Sequence, residues 1–186
     1  MHSTLEPAHK LSKVLDYYME SVVRLQSVFT PQSTEDVIRV DGLCGPIIEQ
    51  FFDWMGSSRG YEPEQASRYA YAVDYYVRDY LVDALIENPL NYIPGRITAF
   101  AGSWYLQKTM EPNREQIETH LAGIRLWYEY LLNESCISAE SLVKATQECD
   151  DIEYYATRLE SFMALAGEGF TLWLTSLRPV WERENK

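Results

Sequence analysis

The spacing of apolar residues constrains this chain more than any other feature. From Leu11 to Trp181 they return at intervals of three and four, and no run of alternating β-branched residues interrupts them. Such a chain can bury its apolar surface only as amphipathic helices packed on one another, so the predicted fold class is all-α. At 186 residues and 46% hydrophobic it has the size of one compact domain, or one domain with a helical extension, and needs no metal or disulfide to complete its core.

The helices can be placed from their stripes and punctuation. Leu11, Val14, Leu15, Tyr18, Val22, Leu25 and Phe29 mark a first helix that Thr4 can cap and Pro31 ends. Thr30–Gly45, rich in Pro, Ser, Thr and Gly, reads as a connector with one short helical turn around Glu35–Val40. Pro46 then opens a helix through Ile47, Phe51, Trp54 and Met55 that stops at Gly56-Ser57-Ser58. Glu62-Pro63-Glu64 starts the next, with the stripe Ala66, Tyr69, Ala70, Val73, Tyr76, Val77, Tyr80, Leu81, and the two fold back as a hairpin. Asn88-Pro89 and Pro94-Gly95 bracket a turn before a shorter helix bearing Ile97, Phe100, Trp104 and Leu106. Asn113 with Gln116 forms a capping-box variant for a helix ending near Asn133. Ser138 starts another, Asp150 with Glu153 caps a further one, and a last helix from Phe170 to about Trp181 is bent or stopped at Pro179. This gives an N-terminal arm over 1–40, a helical domain over 45–138, and a C-terminal extension over 139–186 packed on it.

Charge and cysteine content narrow the environment. Sixteen Lys+Arg against 28 Asp+Glu give a net charge of -12, which repels phosphate backbones at long range. Cys44, Cys136 and Cys149 are odd in number and widely spaced, as expected of buried or half-buried thiols in a reducing cytoplasm. The N-terminus lacks a basic-then-apolar leader, and no apolar run approaches the roughly 18 residues that span a bilayer. A cytoplasmic protein without membrane contact is the expectation.

The search for chemistry finds no catalytic signature. Of the three histidines, His2, His9 and His120, none follows a glutamate by three, so a carboxylate-bridged di-iron bundle is not indicated and no metal or cofactor is implied. His120 reads as a surface or partly buried helix residue. There is no nucleophile elbow and no glycine-rich phosphate loop. Glu49 and Asp53, four apart, have paired-carboxylate spacing but read as a solvated acidic face. The abundance is tyrosine, 14 in all, and the doublets Tyr17/Tyr18, Tyr75/Tyr76 and Tyr154/Tyr155, with Tyr128/Tyr130, place one ring inward and one toward the rim of successive helices.

Within Ile47–Ser138, the stretch IIEQFFDWMGSSRGYEPEQASRYAYAVDYYV, followed by ITAFAGSW and IETHLAGIRLWYEYLLNESCIS, resembles the N-terminal core-binding, SAM-like domain of tyrosine recombinases and phage integrases. The likeness lies in a first helix, an Arg-Gly-Tyr turn, a second helix with Ala-x-x-Tyr, a third helix, and a fourth with an aromatic pair before a Leu-Leu end. It covers about half of the chain and implies a four-helix SAM-like bundle with extra terminal helices. In that family the domain forms half of a clamp on DNA, and a separate domain carries an arginine, lysine, histidine and tyrosine catalytic set. The residues after Ile137 hold no His-x-x-Arg, and Tyr154 and Tyr155 sit beside Asp150-Asp151-Ile152-Glu153, so the resemblance does not carry recombinase activity with it.

The expectation is therefore a non-catalytic interaction module for a protein partner or a second copy of the chain, descended from a core-binding domain. Its contact residues are expected to be Tyr17, Trp173, Leu177 and Trp181. The alternative is a DNA-binding accessory protein. The matching positions that would meet phosphate are Arg59, Arg68, Lys108, Arg114 and Arg125, opposed by eight acidic residues from Glu62 to Glu118 in the same elements. At each of these arginines the competing expectation is a surface ion pair at i, i+3 or i+4, such as Glu64 with Arg68, or Asp74 with the neighbouring Arg78. A second alternative is a small-molecule binder with an aromatic pocket built from Trp54, Trp104, Trp127 and Tyr128.

Overall fold

The computed structural model describes residues 24–166 and 169–177, and every regular element in them is helical. The expectations at Thr4, Tyr17 and Trp181, and the bend at Pro179, lie outside the described residues, as does most of the first apolar stripe. A helical segment at 24–28 leads into α1, Thr34–Arg59. The Ser33 side chain caps α1 by accepting from the Asp36 amide, and Glu35 and Asp36 occupy its first turn, where the helix dipole favours them. The segment expected to be a connector is thus largely the first half of a 26-residue helix, and Pro46 lies inside it instead of opening it. Pro46 has no N–H for the Gly42 carbonyl, a local cost of about 3 kcal/mol. Burial of Val40, Cys44, Ile47, Ile48, Phe51 and Met55 along one stripe offsets that loss. The helix continues past Gly56-Ser57-Ser58 and closes at Gly60, φ 70°, whose amide bonds to Met55 O.

The α2 helix, Pro63–Asp74, continues without a break into a π-wound extension, Tyr75–Ala84. The α3 helix starts at Arg96–Ala99, passes through a π-wound turn at Phe100–Trp104, and ends as Tyr105–Lys108. After α4, Arg114–Asn133, come α5, Ala139–Cys149, α6, Ile152–Met163, and α7, Gly169–Thr175. Asn113 and Ser138 cap α4 and α5 through their side chains, as their spacing predicts. At α6 the expected cap is shifted: Asp151 holds the N-cap position and its side chain makes no capping bond.

The central element is α4, which packs against α1, α2, α5, α6 and the π-wound turn of α3. It lies tight against α2 at Gly123, where a Cβ would lie 3.0 Å from Tyr69 O and 3.4 Å from Ala72 Cβ. Trp127, Tyr76, Tyr128, Tyr155, Phe51 and Phe100 are fully buried around this axis, each contributing about 1.5–3 kcal/mol by leaving water. Buried phenols keep partners: Tyr76 and Tyr128 hydroxyls lie 3.1 Å apart, and Tyr155 donates to Glu148 O at 2.7 Å. Tyr130 is buried as well as Tyr128, so the expected division into inner and outer rings fails there, because α4 is surrounded; it holds for Tyr75/Tyr76 and Tyr154/Tyr155.

Two buried polar groups tie distant segments together. Asn88 donates to Gln26 O at 2.8 Å and Thr30 Oγ1 at 2.9 Å and accepts from Leu90 N, which fastens the segment before α1 to the turn after α2. Glu148 of α5, 2% exposed, accepts from Tyr92 Oη, Gly95 N, Thr98 N and Thr98 Oγ1 at 2.8–2.9 Å. Its carboxylate thereby satisfies the free amides at the start of α3 from another helix. Among the described residues, no helix is long and apolar enough to cross a membrane.

Candidate functional site

The cations proposed for phosphate contact divide into two groups in the structure. Arg59, at the end of α1, pairs with Glu129 of α4 and lies over the Trp54 ring, 5.0 Å from its centroid. Arg114 bonds Glu118 at 2.8 Å and Glu153 at 2.7 Å, and Arg125 faces Asp150 at 3.5 Å and Glu129 at 4.0 Å. Arg78 is held by Asp41 in a two-pronged bond at 2.7 and 2.8 Å, with Asp74 more distant at 3.4 Å. Each pair cancels a charge that a phosphate would otherwise meet. Arg68 and Lys108 differ: both are exposed and, among the described residues, neither has a carboxylate within ion-pair distance. The Glu64–Arg68 pair expected from spacing is not formed.

Those two cations stand on one cleft of about 760 Å³, bounded by α2, the end of α3 and the first half of α4. Helical spacing explains the arrangement. Arg68, Tyr71 and Tyr75 follow one another at three and four residues along α2, and Tyr105 and Lys108 are one turn apart on α3, so each wall carries a cation beside phenols. Tyr71 is 73% exposed, while Tyr75 is half-buried and Tyr105 buried. Tyr75 opens the π-wound part of α2, and Tyr105 directly follows that of α3. Inserted π turns rotate the residues beyond them, and both wall phenols sit at such a junction. Burial pushes both phenols above their ordinary pKa, so both remain protonated donors at neutral pH. Tyr105 donates to Gln116 Oε1 at 2.8 Å.

His120 of α4 forms part of the cleft floor. Expected at the surface or partly buried, the ring is in fact deeply buried against Tyr105, Phe100 and Tyr75, at centroid distances of 4.6, 5.5 and 5.8 Å. Burial lowers its pKa from 6.5 to about 4, so it is neutral at pH 7. Nδ1 lies 3.2 Å from Ala72 O; a carbonyl can only accept, so the proton sits on Nδ1 and Nε2 is left as an acceptor. Glu115 is the carboxylate of the lining, and Thr119 lies one residue before the imidazole.

The other expected site residues go elsewhere. Trp127 and Tyr128 are fully buried core, Trp54 packs on Tyr130 and Phe51, and Trp104 packs on Tyr75 and Tyr80. None of these four lines the cleft. Trp173, expected at a partner surface, is 5% exposed: it packs on Phe162 at 5.0 Å, under the Arg158 guanidinium at 4.0 Å. Leu177 is half-buried over Gly102, where a Cβ would lie 3.2 Å from Leu177 Cδ1. Amphipathic spacing cannot tell a helix that docks on its own bundle from one that docks on a partner. Glu49 and Asp53 are exposed and line a second depression, of about 390 Å³, between α1 and Ser67 and Ala70 of α2. Among the described residues no cluster of three or more His, Cys, Asp or Glu is arranged to hold a metal ion. Cys44 and Cys149 are buried and Cys136 is half-buried, as their spacing predicts.

Apolar periodicity and motif spacing do not single out Tyr71, Tyr75, Tyr105 or His120 as cleft-lining groups. The signal was present in the i, i+3 pairing of Arg68 with Tyr71 and Tyr105 with Lys108, whereas the juxtaposition of the two walls is tertiary. Comparison with known proteins finds no matching family model, no matching curated protein and no matching solved structure.

Proposed function

We propose that this chain is a non-catalytic helical binding module whose recognition element is the cleft between α2, α3 and α4. One observation carries the reading: in a molecule of net charge -12, the two cations of the expected set that have no ionic partner among the described residues, Arg68 and Lys108, share one phenol-lined cleft. A concave site of several hundred Å³ with ring walls and a few polar groups suits a small ligand. Descent from a recombinase-type core-binding domain belongs to the same proposal, with α1–α4 as the four helices concerned. Duplex DNA is the weaker ligand, because Arg59, Arg114 and Arg125 are already neutralised and counterion release needs several free cations on one face.

The test is calorimetric titration of neutral, cationic and anionic ring compounds into the wild type and a Thr119→Trp variant that fills the cleft. Binding by the wild type that is lost in the variant is the expected result. No binding, or binding unchanged by Thr119→Trp, refutes the reading. A second reading, self-association, draws support from α7, where Leu172 is 75% exposed and Phe170 and Leu174 are also exposed. A light-scattering mass that stays at one chain across concentration removes it.

A further inference from the structure

The cleft's chemistry narrows its ligand, and the following step rests on the binding-module reading. We infer that the cleft takes an aromatic carboxylate: a flat ring carrying one negative charge and, elsewhere on the ring, an O–H or N–H donor. Two cations, Arg68 and Lys108, against one carboxylate, Glu115, leave one net positive charge on the lining, which suits a monoanion better than a dianion. Arg68 offers the planar fork that matches a carboxylate, and Lys108 a second charge from the facing wall.

The ring requirement comes from the walls between those charges. Tyr71, largely exposed, and Tyr75 lie one turn apart on α2, and Tyr105 presents a third ring from α3. Exposing a tyrosine ring as fully as Tyr71 forgoes its burial in the fold, and an aromatic ligand supplies the missing face. The donor requirement comes from the floor. Neutral His120 spends its only N–H on Ala72 O, so its other nitrogen can only accept. A ligand with no donor would leave that lone pair unsatisfied once water is displaced.

The experiment compares 4-hydroxybenzoate with its neutral counterpart 4-hydroxybenzamide by calorimetry, in the wild type and in Arg68→Gln, Lys108→Gln and Thr119→Trp. Arg68 and Lys108 are exposed and make no ion pair among the described residues, so their replacement leaves folding intact, and circular-dichroism melts verify this. The expected result is that the wild type binds the carboxylate about tenfold or more tightly than the amide, and that each Gln variant weakens carboxylate binding by a similar factor while leaving the amide unchanged. If both probes bind equally and Thr119→Trp abolishes both, the anion inference is overturned and the binding-module reading stands. If neither probe binds, or Thr119→Trp has no effect, both are overturned.

Discussion

Acid is the sharpest probe of the cleft floor. His120 titrates at about 4 in the folded chain because burial among Tyr105, Phe100 and Tyr75 opposes the imidazolium, against 6.5 for a free side chain. Between those values the unfolded chain binds a proton that the folded chain refuses, so stability rises with pH across the window. The contribution is fully present above pH 6.5 and is lost as pH falls toward about 4. Each tenfold difference in proton affinity is worth about 1.4 kcal/mol, so near pH 4.5 the wild type has lost about 2–3 kcal/mol through this residue alone. His120→Phe retains a ring in the cluster and cannot bind the proton. Urea unfolding of both proteins near pH 7.5 and near pH 4.5 therefore gives a wild-type loss larger than the variant's by about 2–3 kcal/mol. Carboxylates that titrate in the same range are common to both proteins and cancel in the comparison. An equal loss in the two, or an NMR titration that places the His120 ring near 6.5, would refute the assignment of a buried neutral imidazole.

Three further outcomes can be measured by the same unfolding assay. Glu148→Ala leaves the Gly95 and Thr98 amides and the Tyr92 hydroxyl without their acceptor and costs about 3–5 kcal/mol; a loss below 1 kcal/mol would mean that water replaces the carboxylate. Ile86, a β-branched residue at φ 56° and 41% exposed, closes the π-wound end of α2, so Ile86→Gly stabilises by about 1 kcal/mol, and a destabilised variant would contradict the left-handed backbone there. Gly123→Val drives methyl groups into the Tyr69 carbonyl and Ala72 and costs about 2 kcal/mol, whereas Gly123→Ala, with better helix propensity against a milder clash, changes stability by less than about 1 kcal/mol.

Where local chemistry decides the outcome, the sequence is legible. Asn113 with Gln116, Ser138, Pro94-Gly95 and Glu62-Pro63 each mark the element boundary that the structure shows. The break read at Pro46 fails because a proline rule operates within one turn, while the burial that overrides it is spread along the α1 stripe. The cleft is legible only in part. Arg68 and Lys108 were visible as cations, but their freedom depends on which other arginines find acids, and those acids are remote: Glu129 is 70 residues from Arg59, and Glu153 is 39 from Arg114. His120 was unreadable for the same reason, since the partner of its proton, Ala72 O, lies 48 residues away.

The Glu148 contact also sets an order of events during synthesis. Thr98 precedes its carboxylate by 50 residues, an interval of roughly 3–10 s at usual elongation rates. A nascent chain that has already emerged through α3 holds the amides at Gly95 and Thr98 open to water until α5 follows. The α1–α4 and α5–α7 groups thus become one cooperative body only late, and a ribosome that stalls before residue 148 presents an α3 whose beginning is unfastened.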